Sequence, residues 1–182
     1  MRRSKFVLCV LGAAFAVCAC GSAVTRTQEA SPVPATARWV LLPFANYSEA
    51  PQSAERVEAM TETLLRMRGL SRLVTYAAQA ADDRKDIRAS LPADGQRDAT
   101  RAIAWAKAQG FVYGVSGSVE EWRYKSGLEA EPAVGISVRV TDLSNDKVIW
   151  SASGTDTGPA HEAVSGTALR LMDRLLAGLE FR

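Results

Sequence analysis

Phe111-Val-Tyr-Gly-Val-Ser-Gly-Ser-Val-Glu-Glu-Trp-Arg-Tyr124, Val134-Gly-Ile-Ser-Val-Arg-Val-Thr141 and Lys147-Val-Ile-Trp-Ser-Ala-Ser153 succeed one another with short connections, and their reading decides the fold. In the first, Phe111, Tyr113, Val115 and Val119 share one face while Gly114, Ser116 and Ser118 share the other. In the second, Val134, Ile136, Val138 and Val140 alternate with Gly135, Ser137, Arg139 and Thr141, the period of a half-buried strand. Asp142-Leu-Ser-Asn-Asp146 is a turn between the second and third stretches, so this half of the chain predicts an antiparallel meander.

Working outward, Arg38-Trp-Val-Leu-Leu-Pro-Phe44 is a continuous apolar run suited to a buried strand, and Ala45 to Pro51 reads as a loop. Val57, Met60, Leu64 and Met67 mark one helix face, with Gly69 as its stop, and Arg72 to Tyr76 reads as a short strand. Residues 82–98 are rich in charge and predict a solvated excursion. A helix follows with Ala99, Ala102, Ile103 and Ala106 on one side. The last element is a helix from about Ala160, with Val164, Ala168, Leu171, Leu175 and Leu179 in a stripe that Leu169, Met172 and Leu176 widen. The order β-α-β-α-β-β-β-α predicts an α/β (α+β) fold over residues 38–182, a single domain with a mixed parallel and antiparallel sheet packed by helices.

The N-terminus carries a different message. Arg2, Arg3 and Lys5 precede an apolar run of twelve, Phe6 to Val17, too short to span a bilayer, which needs about 20 apolar residues. Val17-Cys-Ala-Cys20-Gly21 resembles a bacterial lipobox, so residues 1–19 read as a lipoprotein signal peptide and Cys20 as the lipid anchor. Gly21 after the anchor, in place of an Asp, resembles an outer-membrane address, with the domain facing the periplasm. Residues 21–37 are small, polar and proline-containing, and predict a flexible tether of about 23 Å root-mean-square.

Removing the signal alters the composition argument. The 182-residue chain holds 22 bases and 20 acids; the signal takes three bases and no acid, leaving a net charge of −1. That balance excludes a nucleic-acid binder, which needs a concentrated basic face. Two of the three cysteines leave with the signal, so the exported protein has no disulfide, no thiol nucleophile and no cysteine metal site.

Catalytic chemistry finds little support. His161 is the single histidine and reads as a surface residue, so neither a catalytic triad nor a metal site, and hence no cofactor, is expected. Glu120 and Glu121 are adjacent in a strand and are expected on opposite faces, which rules out a glycosidase pair there; Glu129 and Glu131 fall in a connection. Gly-x-Ser-x-Gly, Gly-x-Gly-x-x-Gly and P-loop patterns are missing. Four tryptophans, Trp39, Trp105, Trp122 and Trp150, are spread over separate elements. Each is core by default, or an interfacial residue in a membrane-tethered domain. Trp105 lies off its helix stripe and suits an interface as well as it suits core.

The lipobox with Trp39-Val-Leu-Leu-Pro-Phe-Ala-Asn-Tyr-Ser48, Ser118-Val-Glu-Glu-Trp-Arg-Tyr-Lys125, Glu131-Pro-Ala-Val-Gly-Ile-Ser-Val138 and Val148-Ile-Trp-Ser151 resembles the PelC family. These are outer-membrane lipoproteins of the Pel exopolysaccharide secretion apparatus, which builds biofilm matrix. The resemblance implies a non-catalytic homo-oligomeric ring on the periplasmic side of the outer membrane. The ring would guide a cationic polysaccharide to an outer-membrane β-barrel exporter through an acidic aperture. It further implies Cys20 as the anchor, Trp150 as a membrane contact, and Glu120 and Glu121 as acids of the aperture. The alternative is a periplasmic lipoprotein that activates a cell-wall synthase, which uses the same opening Val-Leu-Pro-Phe-x-Asn pattern.

Overall fold

The computed structural model describes residues 23–28, 32–76, 92–127 and 130–182. The expected signal peptide, Cys20, Glu129 and most of the charged excursion lie outside them. Along the described chain the elements are β1 (Ala23–Gln28), β2 (Trp39–Leu41), β3 (Ala45–Asn46), α1 (Ser53–Met67), β4 (Val74–Thr75), α2 (Pro92–Ala108), β5 (Tyr113–Tyr124), β6 (Pro132–Asp142), β7 (Lys147–Thr157) and α3 (Val164–Leu176). They build one mixed sheet in the order β1-β7-β6-β5-β2-β4, with β3 also on β5.

The alternating triplet of strands makes the antiparallel centre, β5 against β6 and β6 against β7. The β2–α1–β4 crossover makes β4 parallel to β2, and β2 is parallel to β5. Pro43, which lacks an amide hydrogen, interrupts the apolar run of 38–44. Pairing to β5 nevertheless continues on either side, through Leu42 N–H to the Val115 carbonyl and Tyr47 N–H to that of Val119, both at 2.8 Å. The two-residue β3 is the continuation, where a plain loop was expected from the sequence.

Period-two alternation divides the sheet into two faces. Leu41, Val115, Val119, Ile136, Val138, Val140, Trp150 and Ala152 pack on one side with Val57 and Leu65 of α1 and Ala168, Leu171, Met172 and Leu175 of α3. The broad apolar stripe of α3 is consumed inside the protomer, because that helix touches both the sheet and α1; Arg68 and Asp173 tie the two helices at 2.6 Å. Leu169 alone of the widening residues stands out, 45% exposed. On the other side α2 covers only the β2 end, where Ala102 and Ala106 let it approach Val40, Leu42, Phe111 and Leu143. Trp105 is drawn into this smaller cluster, edge-on to Tyr76 at 5.1 Å and tilted against Phe111 at 5.5 Å, which removes its ring from the role of a free interface. In α1, Met67 proves 78% exposed and Thr61 takes a core position, its hydroxyl bonded to the Val57 carbonyl at 2.7 Å.

Two expectations are corrected. Within the expected tether, residues 23–28 are not free: all six residues of β1 pair antiparallel with β7, from Ala23 opposite Thr155 to Gln28 opposite Trp150. Arg26 of β1 also reaches the Arg174 and Leu175 carbonyls at the end of α3, where a cation complements the helix dipole. Farther on, Val33 is buried and bridges to Phe181, so the strap before β2 is fastened to the C-terminus. Trp150, expected at the membrane, is 1% exposed in the main core. Its register sets this: Trp150 pairs with Val140 and stands two residues from Ala152, both of them core residues. A bulge comes just before it, since Thr141 pairs with Val148 and Ile149 is the extra residue. Ile149 and Trp150 consequently both turn inward, and Val148 is exposed.

The opening motif acquires a physical meaning. Phe44 lies over Gly117, where a Cβ would overlap both its ring and the Ser137 carbonyl. The Asn46 side-chain oxygen accepts from Ser48 N–H and Ser53 Oγ, each at 2.9 Å, and so folds the loop leading into α1.

Gly117→Ala is expected to destabilise the domain by about 1–3 kcal/mol through overpacking. Trp150→Ala should cost about 3–5 kcal/mol through the cavity it leaves. Urea unfolding checks both. A Trp150→Ala domain of unchanged stability would return this side chain to the surface.

Candidate functional site

Glu120 and Glu121 stand where the β5–β6 ladder breaks step. Val119 pairs with Ile136 and Glu121 with Gly135, leaving Glu120 as the inserted residue. In regular pleating neighbours point to opposite faces; in a bulge the extra residue twists the strand and re-aims its side chain. A Cβ built on Gly135 would lie 3.4 Å from the Cβ of Glu120 and equally 3.4 Å from that of Glu121. Both acids therefore rise on one face, which corrects the expectation of opposite faces and removes that argument against a hydrolytic pair. What stands against such a pair is the setting. Glu121 is ion-paired with Arg123 at 2.7 Å, and Glu120 is exposed, accepting from Ser118 Oγ at 2.5 Å.

The acids border the side of the sheet opposite α1 and α3. There β5, β6, β7 and β1 present small polar groups: Ser118, Ser137, Ser151, Ser153, Thr25 and Thr27 line a shallow trough of about 280 Å³ with Arg139. Arg139 donates to Ser116 Oγ at 3.1 Å, and Ser137 and Ser153 hydroxyls meet at 2.9 Å. Ser118 joins the trough to Glu120. The face is thus hydroxyl-rich with one cation, Arg139, in its middle, and carries two carboxylates at one end, one of them offset by Arg123.

The remaining sequence candidates fall elsewhere. Trp150 lies on the far side of the sheet from the acids, in the core. Cys20 is outside the described residues. His161 is exposed with φ of 66° in the connection from β7 to α3. Next to it, the Arg170 guanidinium donates to Glu162 at 2.8 Å and holds that carboxyl below the ordinary carboxylate range. Asp156, 8% exposed, is met by Arg174 at 2.6 Å. These ion pairs fasten α3 to the end of β7 and form no site with the acids. Among the described residues no three of His, Cys, Asp and Glu gather as metal ligands, and no helix is long and apolar enough to cross a membrane.

Two aromatics stand at the end of β5, Trp122, weighed above only as one of four tryptophans, and Tyr124, not singled out there. Tyr124 is 50% exposed, and Trp122 is half-buried against the edge of the main core. Their sequence signal was the Trp-Arg-Tyr-Lys run after the acids, in which aromatics alternate with bases.

No family model matches the chain, and no curated protein matches it. Among solved structures it is similar to the PelC dodecamer from Paraburkholderia phytofirmans, with 30% identity over 89% of this chain and 99% of that one and a TM-score of 0.71. A single-substitution variant of that dodecamer gives 30% identity over 89% and 100% of the two chains, with a TM-score of 0.72. Lipoprotein GNA1162 from Neisseria meningitidis shares the fold alone, at 18% identity over 77% and 95% of the chains and a TM-score of 0.54. With 30% identity sustained across nearly the whole length of that relative, the chain belongs to the PelC family of outer-membrane lipoproteins.

Proposed function

We infer that this chain assembles into a ring beneath an outer-membrane β-barrel exporter and guides the cationic Pel polysaccharide into it, with no catalytic step. Its place is the outer membrane, lipid-anchored, with the domain in the periplasm. Cys20 supplies the anchor. The reading is carried by the bulge that brings Glu120 and Glu121 onto one open face, beside a hydroxyl-rich trough.

The charge argument depends on assembly. A net charge of −1 for the mature chain is too small to attract a polycation by itself. A cyclic assembly repeats each acid once per subunit around a shared opening, and low-dielectric walls focus the resulting field. A relative that forms a dodecamer supports a ring of that kind here. Of the two acids, Glu121 is offset by Arg123, so Glu120 is the stronger contributor to the field. The likeness of the whole domain to a ring-forming relative favours this reading over activation of a cell-wall synthase.

Glu120→Gln is expected to lower polymer export by about tenfold, the lower end of electrostatic steering effects. Glu121→Gln should do less, because it frees Arg123. Secreted polymer in biofilm matrix, measured beside membrane-fractionated protein, checks this. Unchanged export in the Glu120→Gln, Glu121→Gln double variant removes these acids from the aperture. A strictly monomeric protein at high concentration removes the ring.

A further inference from the structure

We propose that β1 is a releasable latch on the edge of β7, giving the domain two reaches from its anchor: short with β1 docked, long with β1 released. The two reaches rest on the acylation of Cys20 inferred above; the latch itself does not.

The edge of the sheet is shaped to receive this strand. A Cβ at Gly154 would lie 2.5 Å from the Ala23 carbonyl oxygen and 3.1 Å from Val24 Cγ2, so a side chain there would push β1 off β7. Gly178, just past α3, leaves room for Arg26: a Cβ there would stand 2.7 Å from its Cδ. Arg26 uses that space to donate through Nε to the Leu175 carbonyl at 3.4 Å and through the guanidinium to that of Arg174. Six residues laddered to β7 in one register complete the seat.

Little apolar burial holds the strand there. Ala23, Thr25, Arg26 and Thr27 are exposed, and Val24 is the one side chain of β1 packed against the main core. The ladder exchanges bonds to water for bonds to β7, a small net gain, while ordering six residues costs backbone entropy. A strand so held opens locally, well below the free energy of global unfolding. The next segment is fastened more firmly. Val33 is buried; its N–H donates to the Glu180 carbonyl at 2.9 Å, and Ala35 N–H to that of Arg182 at 3.0 Å. Arg182 N–H returns a bond to the Val33 carbonyl at 3.1 Å. Phe181 stands edge-on to the buried Trp39 at 5.5 Å, and Trp39 Nε1 donates to the Pro34 carbonyl at 3.0 Å. Opening of β1 therefore stops at Val33.

Chain length gives the consequence. Ala23 is three residues from Cys20, a span of at most about 10 Å, whereas Val33 is thirteen residues away, at most about 45 Å. Docked, β1 holds the domain close to its anchor. Released, it lets the domain stand off while the anchor and the core stay intact. Release also uncovers the edge of β7, a template for any other strand, which the docked, arginine-bearing β1 closes.

Hydrogen exchange read by mass spectrometry, on full-length acylated protein in phosphatidylethanolamine–phosphatidylglycerol vesicles, tests the latch. Amides of residues 23–28 should exchange roughly tenfold faster than those of β6 and of Val33 and Ala35. Arg26→Ala should speed residues 23–28 several-fold further and leave Val33 and Ala35 unchanged; Gly154→Ala serves if that variant does not fold. A donor fluorophore on Val148→Cys, an exposed position, should lose energy transfer to headgroup-labelled lipids when Arg26→Ala is added. Exchange of β1 in step with β6 overturns the latch. Faster exchange with unchanged energy transfer overturns the two reaches. An intact mass without acyl chains overturns the anchor reading instead, and the exchange result then decides the latch alone.

Discussion

The antiparallel ladder of β5, β6 and β7 is the constraint on which the rest of this structure depends. Its three long strands carry valine, isoleucine, tryptophan and alanine on one face, and burial of that face requires a cover. α1 and α3 supply it jointly, which is why α3 is apolar over more of its circumference than one contact needs. β2 and β3 extend the ladder on one side and β1 on the other, each borrowing the hydrogen-bonding edge that the meander leaves open.

Departures from perfect register matter as much as the register itself. One bulge, opposite Val140 and Thr141, turns Ile149 and Trp150 into the core together. The other, at Glu120, brings two adjacent carboxylates to the same open face. Each inserts a single residue, and the one at Glu120 reverses an assignment made by counting alternate positions. Glycines accompany the close approaches: Gly135 leaves room beneath the acids, and Gly117 admits Phe44. The acids, the hydroxyl trough and the exposed aromatic end are thereby grouped around β5.

The meander, the β2–α1–β4 crossover, the alanine-lined helix and the closing amphipathic helix were all legible in the sequence. Their periodicities are local and long enough to be unambiguous. The candidate acids were legible as residues but not as a geometry. Asn46 was legible only as part of a motif, and its hydrogen bonds to Ser48 and Ser53 explain why an amide belongs there. The segment Ala23-Val-Thr-Arg-Thr-Gln28 was misread, because polar and small residues are the ordinary composition of a linker. As an edge strand with one face toward solvent it needs little apolar content, and its pairing partner lies more than a hundred residues away.

By itself, the sequence determined that this is an exported lipoprotein signature followed by one mixed α/β domain, with an acid pair and aromatics on its longest strand. Those features follow from composition and short-range periodicity, which the chain carries at every point. Tertiary structure alone decided between core and membrane for Trp150, put Glu120 and Glu121 on one face, used most of the α3 stripe within the chain, and made a strand of residues 23–28 in the supposed tether. The reason is physical: a side chain's face is set by register with a distant partner strand, and one inserted residue reverses it without leaving a local trace.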